Sequence, residues 1–230
     1  PVNLEKIEKE LVKFWKNAAS EKQDAVIRAI TLNLVFITQS QKDYEEATRQ
    51  VAYVTQHHPA RMMLVHIDRD SDISDIQAHI SAYCQPPQHG GKQICCELVS
   101  LSTGKNGLHH VPGAVLPLLL PDLPVFLCCP PSSVIEMEPL KKILYFADRV
   151  VLDTPLEFGS FDELITTAHH IHWMDQETLL SDLVWGQLTV WREALAYMFD
   201  NIEDRKNLDR LQQLNLTTSG SGYSFPAFLI

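Results

Sequence analysis

Two groups of residues have side chains and spacings suited to chemistry, yet neither completes a metal or nucleotide motif. His169 and His172 are three residues apart on a predicted helix, with Asp175 close by, but the chain lacks the H-E-x-x-H pattern that joins two zinc ligands to a catalytic base. The TGK triplet at 103–105 has no upstream glycine and no Ser or Thr after the lysine, so it predicts a turn. Neither G-x-G-x-x-G nor G-x-S-x-G occurs. The sequence therefore predicts no metal ion, no cofactor and no hydrolase centre.

Charged residues at the ends of predicted strands offer a different kind of site. Arg61, Asp68 and Asp153 flank two apolar runs. Since the carboxyl ends of strands line the crevice of an open α/β sheet, these residues suit a sugar-phosphate- or nucleotide-binding enzyme. Structural ion pairs are the favoured interpretation, because charged residues commonly mark strand ends.

The most specific stretch is DLVWGQLTVWRE at 182–193, which predicts a helix that continues to residue 200. Helical spacing places apolar residues on one face, the predicted core: Val184, Leu188, Trp191, Leu195 and Phe199. A second, mostly polar face collects Asp182, Trp185, Thr189, Arg192, Glu193 and Ala196. An aromatic residue beside an arginine is typical of interface anchors. The alternative is a Trp185 at the core edge, with Arg192 paired to Asp182 or Glu193, and both interpretations stay open.

The elements that must position these residues alternate between helix and strand. Amphipathic periodicity predicts helices at 4–16, 44–55, 108–120, 139–147, 161–173 and 182–200. Alternating or continuously apolar runs predict strands at 30–38, 61–67, 76–84, 93–101, 123–129, 148–154 and 208–217. The fold class is therefore α/β, a layered mixed sheet with helices on both faces, Rossmann-like but without a dinucleotide fingerprint. We expect one α/β unit over 1–230, with two possible lobes at 1–110 and 111–230.

Composition excludes several partners. The formal net charge is −10 and Lys and Arg form no stripe, so we expect no nucleic-acid partner. Prolines interrupt the longest apolar run, at 111–131, so no membrane span is predicted, and the cytoplasm is the expected compartment. The five cysteines include two adjacent pairs, 95–96 and 128–129, but no C-x-x-C, which favours reduced, buried thiols. A redox-responsive scaffold is a third possible function.

Four blocks of the chain, in order, resemble one family. They are HPARMMLVHI (58–67), LPLLLPDLPVFLCCP (116–130), ADRVVLDT (147–154) and SDLVWGQLTVWREALAYMFD (181–200). The last is similar to the signature DL-x-W-x-R-L-T-P-W-R-E-x-x-A of the glucose-6-phosphate dehydrogenase assembly protein (OpcA) family. Gln187 and Val190 depart from the family's Arg and Pro, and Cys128-Cys129 replaces aromatic residues.

The resemblance implies a non-catalytic protein that binds glucose-6-phosphate dehydrogenase, assists its assembly and activates it allosterically, in the oxidative pentose phosphate pathway. It also implies which residues support partner binding: Trp185, Thr189, Arg192, Glu193, Asp182 and Asp122. The sugar-phosphate- or nucleotide-binding enzyme remains the alternative.

Overall fold

The structure is a computed structural model that describes residues 7, 9–13, 15–16, 26–84, 93–129, 138–152, 169, 178–201, 205–206, 210 and 212–213. Eight strands form one sheet in the order β1-β5-β3-β2-β6-β7-β8, with β4 on β5. The strands are β1 Val26–Arg28, β2 Leu32–Thr38, β3 Ala60–Asp68, β4 Gln77–Cys84, β5 Gln93–Gly104, β6 Val125–Cys128, β7 Arg149–Leu152 and β8 Leu179–Asp182. Only the β4–β5 pairing is antiparallel among these strands. The predicted mixed α/β sheet is confirmed.

Both faces of the central strands are buried, which explains the apolar runs in the sequence. Alternate residues of β3 enter opposite cores: Met62 and Leu64 pack with Val51 of the first helix, whereas Met63 and Val65 pack with Ile143 on the other face. A strand covered on both sides needs apolar residues at every position. The predicted helices on both faces are therefore confirmed.

Five α-helices have both ends among the described residues. They are α1 Gln41–His57, α2 Val111–Val115, α3 Glu138–Leu144, α4 Leu183–Gln187 and α5 Thr189–Met198. Ser40 caps α1, because its hydroxyl accepts from the Asp43 N–H at 3.1 Å. Residues 9–13 are also helical, as predicted for 4–16.

Two predicted helices are wrong in detail. The helix at 108–120 is instead a 3-10 helix (Lys105–His110), the short α2 and a second 3-10 turn (Leu116–Leu118). The helix at 182–200 breaks at Leu188 into α4 and α5, and its first residue, Asp182, belongs to β8. Strands β1 and β8 were not predicted. The helix at 161–173 and the strand at 208–217 lie essentially outside the described residues.

One sheet joins the two predicted lobes, because β2 pairs with β6 across the proposed boundary at residue 110. The division into lobes stays a prediction. Among the helices that the structure describes, none is both long and apolar enough to cross a membrane.

Candidate functional site

Asp182 connects the sheet to the signature stretch. It is the last residue of β8, and its Oδ1 accepts a hydrogen bond from the Trp185 N–H at 2.6 Å. This is an N-cap interaction, which satisfies one of the free N–H groups at the start of α4. Its Oδ2 is buried and has no hydrogen-bond partner among the described residues. The strand therefore ends and the helix begins at one side chain.

Arg192 holds α5 against α4. One Nη donates to the main-chain oxygen of Trp185, and the other donates to the Thr189 hydroxyl at 3.0 Å. The guanidinium also stacks on the indole of Trp185, 3.5 Å from the ring centroid. The break at Leu188 leaves the last carbonyls of α4 without helical partners, and Arg192 satisfies one of them. We call Asp182, Trp185, Thr189 and Arg192 the Trp–Arg corner.

The apolar side of α5 faces solvent, so the predicted core face is wrong. Trp191 is 64% exposed and Leu195 is 42% exposed, and α5 has no buried residue. Leu188 and Phe199 are half-buried. We call the exposed set the α5 apolar face: Val190, Trp191, Ala194, Leu195, Tyr197 and Met198. The half-buried side of the helix is instead the side of Thr189 and Arg192, because the Trp–Arg corner turns it towards α4.

The remaining two candidates lie apart from the corner. Glu193 is exposed on α5. Asp122 is exposed in the turn before β6 and has a positive φ of 63°, a left-handed conformation that Asp tolerates better than most residues. Since β6, β7 and β8 are parallel, Asp122 lies at the amino edge of the sheet and Asp182 at the carboxyl edge. The structure thus joins four of the six predicted residues.

A buried ion-pair cluster occupies the amino edge of the sheet. Both oxygens of the Glu97 carboxylate accept from arginines: Arg61 at 2.7 Å and Arg28 at 2.6 Å. The Trp15 indole N–H donates to Glu97 at 2.5 Å, and Arg61 also donates to the Leu118 oxygen at 2.9 Å. Arg61 is 3% exposed. The predicted structural ion pair is confirmed for Arg61.

The alternative enzyme site is not assembled by this geometry. Arg61 is near the start of β3 and Asp68 is its last residue, so the strand separates them by roughly 23 Å at about 3.3 Å per residue. Arg61 therefore lies at the amino edge of the sheet, far from Asp68, and the two do not form one site. Asp153 lies outside the described residues.

The carboxyl edge is filled by the chain itself. The TGK segment is not a separate turn as predicted: Thr103 and Gly104 end β5, and Lys105 begins the 3-10 helix where the chain turns out of the strand. Lys105 pairs with Asp72 at 2.9 Å, which raises the pKa of the lysine. A Cβ on Gly104 would lie 2.3 Å from the Ser71 oxygen, so the loop after β3 packs directly on this turn. His66 Nδ1 is 3.1 Å from the Thr38 hydroxyl, and desolvation lowers the pKa of the imidazole.

The cysteines differ from the predicted reduced thiols. Cys84 and Cys95 form a disulfide, because the antiparallel register of β4 and β5 places them directly opposite each other. Cys96, Cys128 and Cys129 are not part of a disulfide. Burial raises the pKa of the Cys96 thiol, and it raises the pKa of the Cys128 thiol to about 12. These two thiols are therefore poor nucleophiles at neutral pH.

Histidines form no metal site in the part of the chain that the structure describes. No group of three or more His, Cys, Asp or Glu residues there could hold a metal ion. The pairs at 57–58 and 109–110 are exposed, as predicted, and so is His169. His172 and Asp175 lie outside the described residues.

Comparison with known proteins agrees with the resemblance. A family model described as glucose-6-phosphate dehydrogenase subunit N-terminal domain matches residues 51–169, just over half of the chain. The match covers three of the four sequence blocks and ends before the Trp–Arg corner.

Relatives named OpcA, an OxPP cycle protein, match similar shares of the chain. The Synechocystis protein is 27% identical over 63% of this chain and 30% of its own length. The Synechococcus elongatus protein is 33% identical over 60% of this chain and 31% of its own length, and the Nostoc punctiforme protein is 25% identical over 61% and 30%. The chain thus spans about a third of the length of these relatives. It belongs to the family of the glucose-6-phosphate dehydrogenase subunit N-terminal domain.

Proposed function

We propose that this chain is part of a non-catalytic assembly factor that binds glucose-6-phosphate dehydrogenase and activates it allosterically in the cytoplasm. The observation that carries the proposal is the family match over residues 51–169, since the family takes its description from that enzyme. The relatives' OxPP name supports a role in the oxidative pentose phosphate pathway.

Ion pairs and raised thiol pKa values support the proposal that this chain is non-catalytic. Arg61 and Glu97 are buried and neutralise each other, and the free thiols of Cys96 and Cys128 have raised pKa values. Lys105 is paired with an aspartate. These particular groups are thus paired within the fold or poorly reactive at neutral pH.

Activation by binding alone is limited by a simple thermodynamic rule. A binder shifts a conformational or assembly equilibrium of its partner only by the difference in its affinity for the two states. A tenfold preference for the active state corresponds to about 1.4 kcal/mol, which a few well-packed side chains can supply. We therefore expect a modest contact surface to be sufficient.

The predicted partner-binding residues have two roles in this proposal. Asp182, Trp185, Thr189 and Arg192 hold the Trp–Arg corner and thereby orient α5, whereas Glu193 is exposed and free to contact the dehydrogenase. Asp122 is exposed at the opposite edge, so its contribution requires a partner that reaches both edges.

The test is dehydrogenase activity measured against glucose-6-phosphate concentration, with and without the chain, together with co-elution of the two proteins. We expect co-elution, and either a lower apparent KM or a higher kcat. The matched control is bovine serum albumin at the same concentration, which corrects for nonspecific protection of a dilute enzyme. If the kinetics stay unchanged and the proteins elute separately, the proposal is wrong.

A further inference from the structure

The α5 apolar face is turned towards solvent instead of towards the core. A surface helix normally turns its apolar side to the core and its polar side to water. On α5 the six apolar residues span an arc of roughly 160°, at 3.6 residues per turn, and all of them are exposed. Tyr197 is 78% exposed and Val190 is 73% exposed. Water contact along a whole helix side is unfavourable, so this face is suited to a partner.

The orientation is fixed by polar contacts. Arg192 binds the Trp185 oxygen and the Thr189 hydroxyl and stacks on the Trp185 ring. These contacts lie on the side of α5 opposite to the apolar face. The helix therefore presents its apolar residues outward because its polar residues are held inward.

We infer that the α5 apolar face is the surface on which glucose-6-phosphate dehydrogenase docks. The inference rests on the proposed function and assigns the partner to a surface that excludes Asp182, Trp185, Thr189 and Arg192 from direct contact. Trp191 and Tyr197 are its anchors, because exposed aromatic side chains dominate binding energy at protein interfaces.

The size of the face fits a protein partner. An aromatic side chain carries about 150–250 Å² of surface. With their exposed fractions, the residues of the α5 apolar face together offer on the order of 600 Å², most of what one partner contributes to a standard interface. A standard protein–protein interface buries about 800 Å² on each partner. A small ligand would cover only part of this surface.

Charge disfavours a second copy of the chain as the occupant. The formal net charge is −10, so self-association brings two strongly acidic molecules together. Beside the face, Glu193 and Asp200 add two negative charges, and Arg205, which donates to the Phe199 and Asp200 main-chain oxygens, offsets only one of them. A different protein with an apolar patch and basic surroundings fits better.

The experiment compares the chain with a double variant, Trp191→Gln/Tyr197→Gln, in a titration against the dehydrogenase by biolayer interferometry. We expect the Kd to rise about thirtyfold or more, since two aromatic anchors are removed. Tyr53→Gln is the matched control, because Tyr53 is 68% exposed on α1, and its Kd should stay within about twofold. Melting curves establish that the variants fold.

Hydrogen exchange on the unmodified complex gives a second readout that needs no variant. We expect slower exchange of the amides at 190–198 on binding. If the wild-type chain binds while the double variant binds equally well, the inference is wrong and the proposed function stands. If the wild-type chain does not bind, the proposed function itself fails. The inference is also wrong if the chain forms a dimer that the double variant dissociates. It is wrong as well if other parts of a full-length relative already protect the α5 amides from exchange.

Discussion

Replacing Arg192 with alanine should loosen the Trp–Arg corner while the sheet stays folded. The substitution removes two hydrogen bonds from a charged donor and the stack on Trp185. Hydrogen bonds to charged groups contribute about 1.5–3 kcal/mol and a partly exposed cation–π contact about 0.5–1 kcal/mol. Because Arg192 is only half-buried, we discount these values and expect a loss of about 2 kcal/mol in the stability of α5.

Hydrogen exchange is the assay that resolves this loss. The main-chain N–H of residue 192 donates to the Leu188 oxygen at 2.9 Å, and alanine retains that N–H. A loss of about 2 kcal/mol should speed its exchange by roughly thirtyfold if α5 opens locally. Amides of β3, at the centre of the sheet, should exchange as in the wild type. Arg192→Lys should resemble the alanine variant, because an ammonium has no planar fork to stack and bridge.

Trp191→Ala is the matched control, and its expected result is the reverse of what periodicity alone predicts. A buried tryptophan would leave a cavity and cost about 3–5 kcal/mol. Trp191 is 64% exposed, so the change should stay within roughly 0.5 kcal/mol. Trp191→Ala could instead speed exchange of the α5 amides as much as Arg192→Ala does. The apolar face would then support the helix, and the claim that the Trp–Arg corner alone holds α5 would be refuted.

Four further predictions test the sheet and its edge contacts, which support the Trp–Arg corner. Glu97→Gln should lower the free energy of unfolding in urea by about 3–5 kcal/mol, because it leaves a buried arginine uncompensated. Cys84→Ser should lower it by about 3 kcal/mol by opening an 11-residue loop, and a reductant should have the same effect on the wild type but none on the variant. Gly104→Ala should cost about 1–3 kcal/mol, since its Cβ meets main-chain atoms, whereas Gly113→Ala, with open space around it, should be neutral or slightly stabilising. The pKa of His66 is lowered in the folded state, so the unfolded chain binds more protons; stability should fall as pH drops below about 6.5, and His66→Gln should flatten that slope.

The sheet was predictable because its strands are buried on both faces. Runs such as ARMMLVHID are apolar at nearly every inner position, and this pattern differs from that of an amphipathic helix. β1 and β8 were missed because each is short, with three and four residues, and neither is an uninterrupted apolar run. The final residue of β8, Asp182, also fits the start of a helix, and in the structure its side chain does cap α4.

The orientation of the signature helix could not be read from the sequence. Periodicity identifies an apolar side but not what covers it, and α5 leaves that side in water. The break at Leu188 has no proline to mark it, and the contacts that stabilise it come from Arg192, four residues later. The sequence held only part of the signal for the disulfide: Cys84 and Cys95 lie on either side of the predicted hairpin loop, but pairing outward from residues 85–92 places Cys84 opposite Gln93, two residues away from the observed Cys84–Cys95 register.

The two edges of the sheet differ in a way that bears on the proposed activation of the dehydrogenase. At the amino edge, Asn33 bonds the loop before β6 through the Leu120 and Leu123 oxygens, and Glu97 joins two arginines. Such a satisfied buried network resists deformation. At the other end the last strand, β8, exposes Leu179 and leads through the Trp–Arg corner into the exposed α5. A partner bound at α5 therefore meets a helix held by a few polar contacts on a rigid sheet. Binding energy is then available to shift the partner's equilibrium, because little of it is spent on ordering this chain.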